Sequence, residues 1–149
     1  MPKILIVGGG YAGFYTAWKL EKHLAKNEAE VIVVDPLPYM TYQPFLPEVV
    51  AGSIEPRHSV VALRRHLKKT TVITARVTQI NHARKTATIT PDVGDAWDVE
   101  YDQIVVTAGA VSRTFPIPGE GTPWQFSAVR YSMINVMLLP GWPGRCDPH

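Results

Sequence analysis

Cysteine is almost missing from this chain: Cys146 is the only one among 149 residues. A single thiol excludes an internal disulfide and any CxxC redox pair. A surplus of one charge is missing too. Fifteen Lys and Arg face thirteen Asp and Glu, for a formal charge of +2. That is too little to argue for nucleic acid. No basic run exceeds Arg64-Arg65 or Lys68-Lys69, and no aromatic residues interleave with basic ones to stack bases. No apolar run approaches the roughly 20 residues of a membrane span. The apolar start behind "MPK" stops after "ILIV" at three glycines, too short for the core of a signal peptide. The expected location is cytoplasmic, with peripheral membrane contact left open, because an amphipathic helix would not show in bulk hydropathy. The five histidines have no HExxH or other paired-ligand spacing. His58 and His66 therefore read as surface residues, and no metal site is expected. There is no GxSxG nucleophile elbow. Tyr15 and Lys19 do spell YxxxK, but inside the first predicted helix, directly behind a glycine turn, so the match reads as coincidence. No residue stands out as catalytic by acid–base or nucleophilic chemistry.

What is present is an ordinary globular composition, 46% hydrophobic and 19% charged, and a clear opening phrase, "ILIVGGGYAGFYTAWKL". Residues 4–7 form a short, wholly apolar strand of the kind buried in a parallel sheet. A helix is predicted from 12 to about 25. Phe14, Ala17, Leu20 and Leu24 recur there at spacings of three and four, with Lys19, Glu21, Lys22 and His23 outward. Asn27-Glu28 turns the chain, and 31–34 is a second buried strand ending at Asp35. Residues 36–58 hold five prolines and predict no long regular element. A short helix is predicted over 60–67, capped by Ser53 or Ser59, with Arg64 and Arg65 on its solvated face. From Thr71 the period changes. "TVITARVTQINHARKTATIT" alternates and is rich in β-branched residues, with a turn near 82–85 and a further strand at 97–101. The expectation is an antiparallel meander over 71–101. Residues 104–107 are one more buried strand, running into Ala108-Gly109. The fold class predicted is α/β: a Rossmann-like parallel sheet plus an antiparallel β-meander.

Gly8, Gly10 and Gly13 match GxGxxG. The first glycine permits the tight turn, the second lets a pyrophosphate approach the backbone, and the third lets helix and strand pack closely. The helix start then offers unpaired N–H groups and about half a positive charge to the phosphates. Alone the triplet is weak. Here it follows a strand, opens a helix and precedes a second strand ending in an acid, Asp35, about 20 residues on. That carboxylate suits the two hydroxyls of an adenosine ribose and disfavours a 2′-phosphate, and with it an NADP-like ligand. The motif does not choose between NAD and FAD.

Later stretches bear on that choice. A nicotinamide-binding Rossmann domain usually continues with βαβ units, whereas this chain turns to the meander and then to "YDQIVVTAGAVSRTFPIPG". Asp102, Thr107-Ala108-Gly109 and Pro118-Gly119, together with "MTYQPFLPEVVAGSIEPRH", resemble the two-dinucleotide-binding flavoproteins named for pyridine nucleotide-disulfide oxidoreductases. The branch most similar is type II NADH dehydrogenase (NADH:quinone oxidoreductase), and the resemblance runs over residues 2–119. It implies FAD at the glycine turn. Gly8, Gly10, Tyr11, Ala12 and Gly13 would line the pyrophosphate, and Asp35 would hold the ribose. Val77 would meet the adenine through its backbone. Gln43 and Pro44 would sit near the isoalloxazine, and Ala108-Gly109 would pass close to the cofactor. NADH and a quinone are the implied partners, with peripheral attachment to the cytoplasmic membrane face for the full-length family. The family's disulfide reductases need a CxxxxC pair, and its sulfide:quinone reductases also use cysteines. Neither suits a chain with Cys146 alone, whereas a quinone needs no protein thiol.

The expected organisation is a partial FAD-binding domain, 1–119, and an atypical tail, 120–149. The tail lacks caps, alternation and a sustained amphipathic stripe, so it is expected to be poorly ordered. The family's second glycine turn, for NADH, and its returning Gly-Asp segment have no counterpart past Gly119. A shifted reading frame or truncated gene accounts for this, as does a genuine short protein with its own tail; the first is favoured by the lack of consistent local signals. The resemblance thus implies FAD-dependent oxidation of NADH with electrons passed to quinone, with this chain a truncated, inactive form. The rival reading is a non-catalytic FAD-binding module or a folding-defective fragment.

Overall fold

Strand β1 (Lys3–Val7) has four consecutive apolar residues, so both of its faces must be covered. The computed structural model, which describes residues 1–110 and the two-residue strand Met137–Leu138, puts β1 at the centre of a five-stranded sheet. On one side β1 pairs in parallel with β2 (Glu30–Asp35). A strand at Thr71–Thr74 continues the sheet in parallel beyond β2. On the other side lies a parallel strand at Gln103–Val106, against which Met137–Leu138 runs antiparallel. Helix α1 (Tyr11–His23) makes the crossover from β1 to β2.

Side chains alternate across the sheet and divide the core in two. Ile4, Ile6, Val31 and Val33 join Phe14 and Ala17 of α1, with Met40, Leu63, Leu67 and Val72. Leu5, Val7, Ile32 and Val34 join Ala75, Ala87, Ile89, Tyr101 and Ile104 on the opposite face. Burying each of the larger apolar side chains is worth roughly 1.5–3 kcal/mol.

Three local expectations are corrected. The segment 60–67 is not one helix. Val60–Ala62 is strand β4, paired antiparallel with β3 (Tyr39–Thr41), and only Leu63–His66, α3 here, is helical. Ala62 occupies the cap position, and neither Ser53 nor Ser59 caps the helix; the Ser59 hydroxyl donates to the Pro56 carbonyl instead. The β-branched Val60 and Val61 favour the extended form once a partner edge is at hand. Five prolines do prevent long elements, but they leave room for β3, for 3-10 turns at Gln43–Phe45 and Pro56–Ser59, and for the short α2 (Leu46–Val50).

The meander is also shorter than expected. Thr71–Thr74, β5, belongs to the parallel sheet, with Val72 opposite Val33 and Thr74 opposite Asp35. Only β6 (Arg76–Asn81), β7 (Thr86–Thr90) and β8 (Trp97–Glu100) form the antiparallel sheet. The chain then returns as β9 (Gln103–Val106), and Met137–Leu138 is β10.

Glu21 does not simply point outward. Its carboxylate accepts the N–H groups of Lys69 and Thr70, each at 2.8 Å, and the Thr70 hydroxyl at 2.7 Å, pinning the approach to β5 against α1. The expectations for Pro118-Gly119 and for an unordered tail over 120–149 concern residues outside those described, β10 apart. Among the described residues no helix is long and apolar enough to cross a membrane.

Candidate dinucleotide site

The site is built where β1 gives way to α1. Gly8 has φ +101°, a value open mainly to glycine. A Cβ there would run into the Thr107 carbonyl, and one on Gly13 would overlap the Gly8 carbonyl oxygen. These two glycines answer to packing inside the protein. Gly10 does not: among the described residues a Cβ there would meet nothing within 4 Å. That leaves room for a ligand to approach the backbone. Gly10 is also the N-cap of α1, in extended conformation. Among the described residues no side chain caps that helix start, and no acid lies in its first turn, which leaves the positive end of the helix dipole open to an anion.

Asp35 ends β2 beside this turn and is half-buried. One carboxylate oxygen accepts the Gly9 N–H at 2.6 Å, and the other accepts the Leu37 N–H at 2.7 Å. A carboxylate has about four acceptor positions; among the described residues two are used, which leaves two for hydroxyl donors. The Gly8 N–H donates to the Val34 carbonyl at 2.8 Å, which ties the turn to β2.

The sequence-predicted residues stand in different relations to this rim. Gly8, Gly10, Tyr11, Ala12 and Gly13 come with the turn and the first turn of α1. Ala108 lies against Gly8, its Cα 3.2 Å from where a Gly8 Cβ would be. Gly109 follows at φ +72°, and among the described residues nothing stands within 4 Å of where its Cβ would be. Gln43 and Pro44 are exposed on a 3-10 turn. That turn is attached through Tyr42, whose ring lies 5.9 Å from Tyr11 and 4.7 Å from Phe45. Val77 is half-buried on β6, an edge strand, opposite Ile89. It lies two residues beyond Ala75, whose N–H donates to the Asp35 carbonyl at 3.0 Å.

Two residues of the rim escaped the sequence reading. Gly9 is not a motif position, yet a Cβ there would stand 2.6 Å from the Leu63 side chain and 3.2 Å from the Asp35 Cβ. The run of three glycines was the available signal. The sequence marks Thr107 as the end of a buried strand and as part of the Thr107-Ala108-Gly109 resemblance, not as a site residue; its hydroxyl lies 2.9 Å from the Gly8 carbonyl. A polar residue closing an apolar strand was the hint. Among the described residues no group of three His, Cys, Asp or Glu is arranged to hold a metal ion. The arrangement offers helix-start N–H groups to an anion and carboxylate oxygens to hydroxyl donors.

Known proteins resemble this chain. The family described as pyridine nucleotide-disulphide oxidoreductase matches residues 2–134. A type II NADH:quinone oxidoreductase of Staphylococcus aureus (strain NCTC 8325 / PS 47) is 33% identical over 119 residues, which are 78% of this chain and 28% of that protein. The protein of the same name from Staphylococcus saprophyticus is 36% identical over 124 residues, again covering 78% of this chain and 28% of its own length. Among solved structures, NDH2 from Plasmodium falciparum in complex with NADH shares the fold, with a TM-score of 0.69 at 22% identity, over 78% of this chain and 24% of that one. The chain spans 28% of the length of these curated relatives.

Proposed function

Because the chain belongs to the pyridine nucleotide-disulphide oxidoreductase family, we propose that its described part is the FAD-binding portion of a flavin-dependent NADH:quinone oxidoreductase. One observation carries the assignment of the dinucleotide site. The open space at Gly10, the uncapped start of α1 and the half-used carboxylate of Asp35 meet on one rim. They offer the donors and acceptors an adenosine pyrophosphate needs.

In this reading Gly8, Gly10, Tyr11, Ala12 and Gly13 hold the pyrophosphate, and Asp35 accepts the ribose hydroxyls. Val77 borders the adenine, while Gln43, Pro44, Ala108 and Gly109 border the flavin end. Asp35 also repels a 2′-phosphate, which turns an NADP-like ligand away from this turn. The chemistry the flavin supplies when bound is acceptance of two electrons from a nicotinamide and their return to a second acceptor. The overall reaction is NADH plus a quinone and one proton giving NAD⁺ and a quinol. NADH and quinone are taken from the names of the relatives, and FAD from the family resemblance with its meander and "VVTAGA" stretch. The protein's part is to bind and orient.

The test is titration of the purified chain with FAD and with NAD, followed by flavin fluorescence and calorimetry. FAD is expected to bind more tightly. Tighter binding of NAD would overturn the assignment.

A further inference from the structure

Thr107 is buried, 7% exposed, directly after β9. Its N–H donates to the Val7 carbonyl at 2.8 Å. Its hydroxyl lies 3.0 Å from that same carbonyl and 2.9 Å from the carbonyl of Gly8. One hydroxyl proton is therefore shared between the last residue of β1 and the first residue of the glycine turn. The Gly8 carbonyl belongs to the same planar peptide unit as the Gly9 N–H. That N–H is the group Asp35 accepts at 2.6 Å. The peptide joining Gly8 to Gly9 is thus gripped at both ends, its oxygen by Thr107 and its N–H by Asp35. Gly8 needs the grip, because its φ of +101° lies where glycine has alternatives and loses much freedom on ordering.

We infer that Thr107 is a positioning residue for the dinucleotide: its hydroxyl fixes the orientation of the Gly8–Gly9 peptide and, through it, the Asp35 carboxylate. The inference rests on the reading of the glycine turn as the pyrophosphate site. Thr107 touches no ligand in this account. It sets the angle at which the cradle and the ribose acceptor are presented together. Valine has nearly the shape of threonine but no hydroxyl, so Thr107→Val keeps the packing and leaves the buried Gly8 carbonyl without its donor. Thr107→Ser keeps the donor and loses only a methyl group.

The experiment uses the full chain and its two variants, with two readouts. The first is FAD affinity by calorimetry. Thr107→Val is expected to weaken binding about tenfold, the scale of one lost buried hydrogen bond, and Thr107→Ser to restore it to within about threefold. The second is hydrogen exchange of the Gly9 amide without ligand. Thr107→Val should expose it to faster exchange, and Thr107→Ser should not, with the protection of Leu5 and Ile6 unchanged in both. An unaltered Gly9 amide in Thr107→Val overturns the inference whatever the affinities, as does faster exchange of Gly9 with unaltered FAD binding. If the unaltered chain does not bind FAD, the reading of the site fails on that arm alone. The exchange arm still decides whether Thr107 governs the turn. Should Thr107→Val not fold, Thr107→Ser against Thr107→Ala makes the same comparison.

Discussion

The two faces of the central sheet are closed in different ways. On one, α1 follows β1 directly in the chain, and its Phe14 and Ala17 lie on Ile4, Ile6, Val31 and Val33. On the other, cover comes from far along the chain: Ala75, Ala87, Ile89 and Tyr101 reach Leu5, Val7, Ile32 and Val34. The helix face is begun by a short, local crossover and completed by Met40, Leu63, Leu67 and Val72. The meander face waits for long-range pairing, whose chain-closure cost must be met first. The candidate site belongs to neither face. It sits at the rim where they meet, with Asp35 bonded to Gly9 of the turn by its carboxylate and to Ala75 of the meander connection by its carbonyl. A site so placed depends on both closures being complete.

The largest effect should come from cutting one face at a time. Leu5 and Ile6 are neighbours in sequence, both fully buried, and they point to opposite faces. Leu5→Ala and Ile6→Ala should each cost about 2–5 kcal/mol in urea unfolding. Hydrogen exchange should separate them, with Leu5→Ala loosening β6 to β8 first and Ile6→Ala loosening α1 first. If both variants loosen the same amides, the two faces are one cooperative unit and the distinction between them falls.

A smaller effect is expected at the rim. Asp35→Ala should weaken FAD binding by about 1.5–3 kcal/mol, the scale of hydrogen bonds to a charged group. Circular dichroism and the exchange pattern of both faces should hardly change. Loss of protection on one face with unchanged affinity would make Asp35 a strut of that face and not a ligand residue.

The smallest effect belongs to the meander face alone. Burial pushes the Tyr101 phenol above its usual 10.0. The folded protein thus favours the neutral phenol. The stability this gives is complete below the unfolded pKa, near 10.0, and is lost as pH rises from there through the folded value. Unfolding followed across that alkaline range should show a shallower decline for Tyr101→Phe than for the unaltered chain. Equal slopes would mean that the phenol does not report on this face.

Much of this was legible in local pattern. The spacing of Phe14, Ala17, Leu20 and Leu24 marked α1, and the apolar runs marked β1 and β2. The glycines with Asp35 marked the rim. The misreadings share one cause. Val60 and Val61 prefer an extended chain wherever an edge is offered, and only the fold offers them Tyr39–Thr41. Thr71–Thr74 alternates as a meander strand would, but its partner is β2. Glu21 has the chemistry of a solvated residue until the backbone at 68–70 is brought to it.

Local pattern alone set the strand–turn–helix–strand opening and the acid that ends it. Propensity, periodicity and glycine chemistry act over a few residues, and all the needed residues stand close together. Only the tertiary structure decided which strand lies beside β2, which carbonyl the Thr107 hydroxyl meets, and that the Gly8–Gly9 peptide is held from both sides. Thr107 and Gly8 are 99 positions apart, and Gly9 and Asp35 are 26 apart. Contacts at such separations are set by how the sheet assembles, and no local pattern encodes them.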